Sequence, residues 1–146
     1  MSKPTETAII ESALTAIEGI LTLPILPDHQ RGLIDGMLWV ITEARGKYTT
    51  RYQSLAARNA PKGTKLQHEH VIPRKQLVAA IMLHPERARE IARTAIGCVV
   101  TKQEHDHLTR ITREKPYLAS WDRYKAAGIT VIDTDEQQLS QQRTSI

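Results

Sequence analysis

Residues 66–73 read Leu66-Gln67-His68-Glu69-His70-Val71-Ile72-Pro73, and residues 97–107 read Gly97-Cys98-Val99-Val100-Thr101-Lys102-Gln103-Glu104-His105-Asp106-His107. The first stretch reads as a strand from Leu66 to Ile72, stopped by Pro73, which cannot donate to a ladder. The second opens with a short apolar, β-branched run, which reads as a strand over Gly97–Thr101. Thr101 followed three residues later by Glu104 is the pattern of a capping box, so a helix starts there and carries His105 and His107. The order is therefore strand, connection, strand, helix. It places four of the six histidines in two His-x-His clusters. Paired His/acid clusters that lie apart in sequence can close into one metal site or one acid–base site.

Outward from this centre, the chain reads as mostly helical. Ile9, Ile10, Ala13, Leu14, Ile17, Ile20 and Leu21 form one stripe at helical spacing, ended by Pro24 and Pro27. Asp28 is a plausible N-cap for a second helix lined by Leu33, Ile34, Met37, Leu38, Ile41 and Ala44, with Gly46 as its stop. Trp39 falls off that stripe. Residues 47–52 have strand-like composition, 54–60 suit a short helix, and Pro61 and Gly63 punctuate a loop. A helix is expected over 74–83 and, after His84-Pro85, another through about Ala95. A helix over 117–127, stopped by Gly128, and a strand over 129–132 complete the pattern. The Gln/Ser-rich last ten residues are expected to be disordered.

The 146 residues suit one domain, with 40% hydrophobic and 25% charged residues as in ordinary globular proteins. Phe is absent, so Ile, Leu, Val and Ala must fill the core. Cys98 is the single cysteine, which excludes an internal disulfide and a Cys-x-x-Cys zinc site. No apolar run approaches a membrane span, and the N-terminus lacks the apolar stretch of a signal peptide. A cytoplasmic protein without membrane partners is the expectation. The net charge is +4. It concentrates in Arg45, Lys47, Arg51, Arg58, Lys62, Lys65, Arg74 and Lys75, against the one acid Glu69. Such a run suits phosphate contacts, with Arg51, Lys62, Lys65, Arg74 and Lys75 as candidate nucleic-acid ligands. A merely solvated surface is the bland alternative.

Glu69-His70-Val71-Ile72-Pro73 resembles the opening motif of the HNH, or ββα-metal (His-Me finger), endonucleases, and Gly97–Thr101 with Glu104-His105 resembles their second strand and closing helix. The resemblance covers residues 66 to about 112. It implies that His70 is the general base, that Glu69 and His105 are metal ligands, and that His107 or Asp106 could replace His105 if the helix register shifts. His68 shares a strand face with His70, where it would orient a phosphate or the base. The family's middle Asn or His has no Asn counterpart between Pro73 and Cys98, where His84 is the sole histidine. The implied cofactor is a divalent ion, Mg²⁺ or a transition metal such as Zn²⁺, Mn²⁺ or Ni²⁺. The implied partner is nucleic acid, DNA before RNA.

The expected fold is thus α+β: a helix-rich single domain over 1–136, with an N-terminal helical portion (5–46), a central ββα-metal-like unit (66–112), a C-terminal helix–strand extension (117–133) and a disordered tail (137–146). The expected activity is metal-dependent hydrolysis of phosphodiester bonds. A catalytically inactive nucleic-acid-binding or regulatory module is the alternative. A four-histidine Zn²⁺ site is disfavoured, because His105 and His107 diverge by about 200° on a helix. The N-terminal helices could serve as a homodimer surface or as a cap.

Overall fold

The computed structural model describes residues 2–136, so the expected disordered tail lies outside the described residues. In chain order the elements are α1 (Glu6–Thr22), α2 (Pro27–Thr42), β1 (Tyr52–Ser54), α3 (Leu55–Arg58), β2 (Leu66–His70), α4 (Arg74–Leu83), α5 (Ala88–Ala92), β3 (Gly97–Thr101), α6 (Lys102–Glu114), α7 (Trp121–Ala126) and β4 (Val131–Asp133). This is a mixed α+β fold, and the chain forms two compact units. One comprises residues 1–46 and 72–96, the other 47–71 and 97–146. Among the described residues, no helix is long and apolar enough to cross a membrane.

The first unit is helical and contains α1, α2, α4 and α5. Thr5 caps α1 by accepting from the Ala8 N–H at 3.1 Å, and Glu6 lies in its first turn, where the helix dipole favours an acid. Most of the stripe residues read from the sequence enter the core, with Leu14, Ile17, Ile34, Leu38 and Ile81 fully buried and Ala88 and Ala92 allowing α5 to pack closely. Leu33, read as part of the α2 stripe, faces solvent instead. Arg89 holds Glu11 at 2.7 Å and Glu18 at 2.6 Å, and Arg93 holds Glu11 at 2.7 Å, tying α5 to α1. These pairs are exposed, so solvent screening leaves them a small part in stability. The off-stripe Trp39 lies under the Arg74 guanidinium, 4.6 Å from its ring centroid, and Arg74 also pairs with Asp35 at 2.9 Å. A cation–π contact therefore joins the start of α4 to α2.

The second unit is a four-stranded sheet in the order β2-β3-β1-β4, with α3, α6 and α7. β2 and β3 are antiparallel, β1 and β3 parallel, and β1 and β4 antiparallel. Cys98, Val99 and Val100 of the interior strand β3 are all buried, as a continuous apolar run predicts. The capping box forms: Thr101 Oγ1 accepts from the Glu104 N–H at 3.1 Å, and Glu104 Oε1 accepts from the Thr101 N–H at 3.0 Å. Because the box begins on the last residue of β3, α6 must leave the sheet there. Tyr52, Trp121 and Tyr124 stack edge to face, with centroids 5.2 and 5.1 Å apart, joining α7 to β1.

Several boundaries differ from expectation. Pro27 occupies the first turn of α2 with Leu26 as N-cap, so Asp28 lies inside the helix and pairs with Arg31 at 2.8 Å. β1 is only Tyr52–Ser54, not a strand over 47–52, and it ends at Ser54 because that residue caps α3, accepting from the Ala57 N–H at 3.0 Å. The helix expected from Pro85 to Ala95 is a 3-10 turn, Pro85–Arg87, followed by the five-residue α5. Arg87, at φ −111° and ψ 14°, separates the two. α7 starts at Trp121 rather than 117, since Ser120 adopts φ 52° and ψ −130°. Gly128, at φ 70°, ends α7 as the sequence suggests.

The helical core yields a direct stability prediction. Leu14→Ala should cost about 3 kcal/mol by denaturant unfolding, the range for a buried Leu. Leu33→Ala should change stability by less than about 0.5 kcal/mol, because Leu33 lies 49% exposed on α2.

Candidate functional site

The register of β2 on β3 decides which histidine meets which acid. Glu69 lies opposite Cys98, and His68 opposite Val99. Side chains alternate across a pleated strand, so Glu69 and His70 leave on opposite faces. Glu69 turns toward α6, where its Oε2 accepts from His105 Nδ1–H at 2.5 Å. The side chains are 14% and 37% exposed respectively, so the pair is reachable from solvent through the imidazole. With Nδ1 engaged, Nε2 is the ring nitrogen His105 can offer to a ligand.

Two of the three convergent residues expected from the sequence are therefore together. His70 is placed otherwise: its ring packs against that of His68, edge to face with centroids 5.1 Å apart. His68 also brings Nδ1 to 3.3 Å from the Lys47 carbonyl oxygen. The pleat is the physical reason, since residues i and i+2 share a face. His107 points away from His105, as the 3.6-residue period requires. It lines a cleft of about 320 Å³ with Gln103, Arg110, Gly128 and Ile129. Asp106 pairs with Lys102 at 3.1 Å on the exposed side of α6. His84 belongs to the helical unit, exposed, with Nδ1 3.6 Å from Glu86.

Among the described residues, no group of three or more His, Cys, Asp or Glu is arranged to hold a metal ion. Glu69 and His105 bring one carboxylate and one imidazole together by a direct hydrogen bond through Nδ1. An ion held by both would replace the Nδ1 proton, and two donors are too few for a closed zinc site.

The basic candidates also separate. Arg51 is engaged by Asp133 at 2.8 Å and Asp135 at 3.4 Å, and the hydrogen bonds from Asp133 raise its already high pKa further. Lys62 and Lys65 are exposed on the loop before β2, whose Gly63 sits at φ 94°. Arg74 is engaged with Asp35 and Trp39, and Lys75 is exposed beside it on α4.

Sequence reasoning missed two supporting groups, Arg123 and Ser54, whereas the core place of Tyr124 was expected from its helical spacing with Trp121. Arg123, 5% exposed, donates to the carbonyls of His70 at 3.1 Å and Val71 at 2.8 Å and to Thr112 Oγ1 at 3.1 Å. Its Nη1 lies 4.0 Å from Glu69 Oε1. Ser54, fully buried, donates to Glu104 Oε1 at 2.5 Å, so one carboxylate oxygen joins the α6 cap to β1. Tyr124, 1% exposed, packs beside Cys98. No local signal marks Arg123, because its acceptors are backbone carbonyls distant in sequence.

Cys98 is a core residue, as expected. Burial, with the nearby Glu104 and Glu69 charges adding to it, pushes its thiol from 9.0 up to about 12. The folded state therefore keeps a proton that the unfolded chain loses above pH 9. Stability should fall between pH 9 and 12 by up to about 1.4 kcal/mol per pH unit. Cys98→Ala should flatten that slope near pH 9–10 in denaturant titrations, and the native thiol should resist Ellman's reagent until the chain unfolds.

Compared with protein-family models, with characterised proteins and with solved structures, the chain matches none.

Proposed function

We propose that the chain is a metal-dependent endonuclease of HNH type that hydrolyses phosphodiester bonds in nucleic acid, DNA in the first instance. One observation carries the reading: an antiparallel strand pair runs directly into a helix, and an acid from the first strand meets a histidine from that helix. On this reading Glu69 and His105 hold the divalent ion, Mg²⁺ or a transition metal such as Mn²⁺, Ni²⁺ or Zn²⁺. When bound, that ion would supply positive charge against the scissile phosphate and the leaving oxygen. His70 takes the proton of the attacking water, a task suited to an imidazole near neutral pH.

β2 is an edge strand of the sheet, so a phosphodiester following that edge can meet side chains from both faces. This reconciles Glu69 on one face with the adjacent His70 on the other. Lys62 and Lys65, exposed on the loop entering β2, are suited to hold neighbouring phosphates. Arg51 contributes less, because Asp133 and Asp135 neutralise it. On the helical unit, Lys75 is exposed for a phosphate contact of its own, while Arg74 is paired with Asp35. This account assigns the protein to the cytoplasm.

A second reading, a nucleic-acid-binding module without catalysis, is favoured by the packing of His70 on His68 rather than on Glu69 and His105. A plasmid-nicking assay separates the two. Nuclease action predicts cleavage that chelator abolishes and Mg²⁺ or Mn²⁺ restores. His70→Ala should lower the rate about 10²–10⁴-fold, the usual contribution of a general base, with DNA affinity unchanged. Salt-sensitive binding without cleavage under any of the four metals would instead establish the binding module.

A further inference from the structure

We propose that Arg123 is a positioning residue, which sets Glu69 and the backbone of His70 in place against α6. Its planar fork satisfies acceptors from two elements at once. Nη2 takes the consecutive carbonyls of His70 and Val71 at the end of β2, and Nη1 takes the Thr112 hydroxyl on α6. The same Nη1 lies 4.0 Å from the Glu69 carboxylate. One buried cation therefore joins the strand end that carries Glu69 and His70 to the helix that carries His105.

The placement is costly, because a guanidinium 5% exposed has lost nearly all its water. Val71, 0% exposed, accepts from it, and Tyr124, next to it in sequence and 1% exposed, has its ring centroid 5.8 Å from the guanidinium carbon. Among the described residues the acid beside Arg123 is Glu69, and its hydrogen-bond acceptors are neutral oxygens. A core built for stability alone would place an apolar side chain here. A fork that captures two successive carbonyls instead ends β2 at His70 and fixes the direction in which the chain leaves. The geometric part of the inference stands by itself, and its catalytic consequence rests on the nuclease reading.

Two readouts test it, using the full chain with Arg123→Met and Arg123→Lys. In the metal-free protein, ¹H–¹⁵N spectra should show the His105 Nδ1–H held by Glu69 in wild type and lost to solvent exchange in Arg123→Met. With Mn²⁺ and plasmid DNA, kcat should fall about 100-fold, the scale of an ångström-level misplacement, while KM stays within about twofold. Arg123→Lys should not restore kcat, because an ammonium cannot span the three acceptors. A folded Arg123→Met variant that keeps both the His105 signal and the wild-type kcat overturns the proposal. If Arg123→Met does not fold, Thr112→Val takes its place: a broadened His105 signal supports the proposal, and an unchanged one overturns it. If wild type itself never cleaves DNA, the nuclease reading fails while the His105 spectrum still decides the positioning role.

Discussion

The site depends on the register with which β2 pairs to β3. Glu69 opposite Cys98 sends its carboxylate to the α6 face, where His105 waits one turn beyond the Thr101 cap. A slip by one residue would invert every side chain of β2 and present His68 and His70 to α6 instead. Three devices hold the register. Leu66 pairs with Thr101 at one end, the Lys102 N–H donates to the Lys65 carbonyl just beyond it at 3.1 Å, and Arg123 takes the carbonyls at the other end. The capping box then fixes where α6 begins, and so which of its residues faces the strand.

The carboxylate–imidazole contact is open to more than one chemical use. A carboxylate on Nδ1 fixes the tautomer and orientation of a histidine whose Nε2 acts elsewhere. The same two groups also form a minimal ligand pair for a hydrated divalent ion. Both uses require Glu69 held in place, and Arg123 Nη1 lies 4.0 Å from its carboxylate. The exposed lysines before β2 supply positive charge that no internal ion pair consumes among the described residues, in contrast to Arg51.

Much of the fold was legible in the sequence because its signals are local. The helical stripes of α1 and α2, the apolar run of β3, the Thr101–Glu104 box and the Gly128 stop each depend on near neighbours. They appear where the pattern put them. Element ends governed by competing caps were less readable: Ser54 closes β1 because it caps α3, and Leu26 rather than Asp28 precedes α2. In the site, the meeting of Glu69 with His105 followed from the order strand, strand, helix. The packing of His70 on His68 followed from strand alternation, a consequence that the motif resemblance set aside. Arg123 was illegible, since nothing near it in sequence announces that it will bind carbonyls on β2.

The central claim is that Glu69 and His105 form a single cation-binding point. Anomalous diffraction from crystals soaked in Mn²⁺ tests it most directly. The account predicts one strong peak within coordination distance of a Glu69 carboxylate oxygen and a His105 ring nitrogen, with ordered water completing the shell. A peak held instead by His68 and His70, or no peak at Glu69 under saturating Mn²⁺, would contradict it.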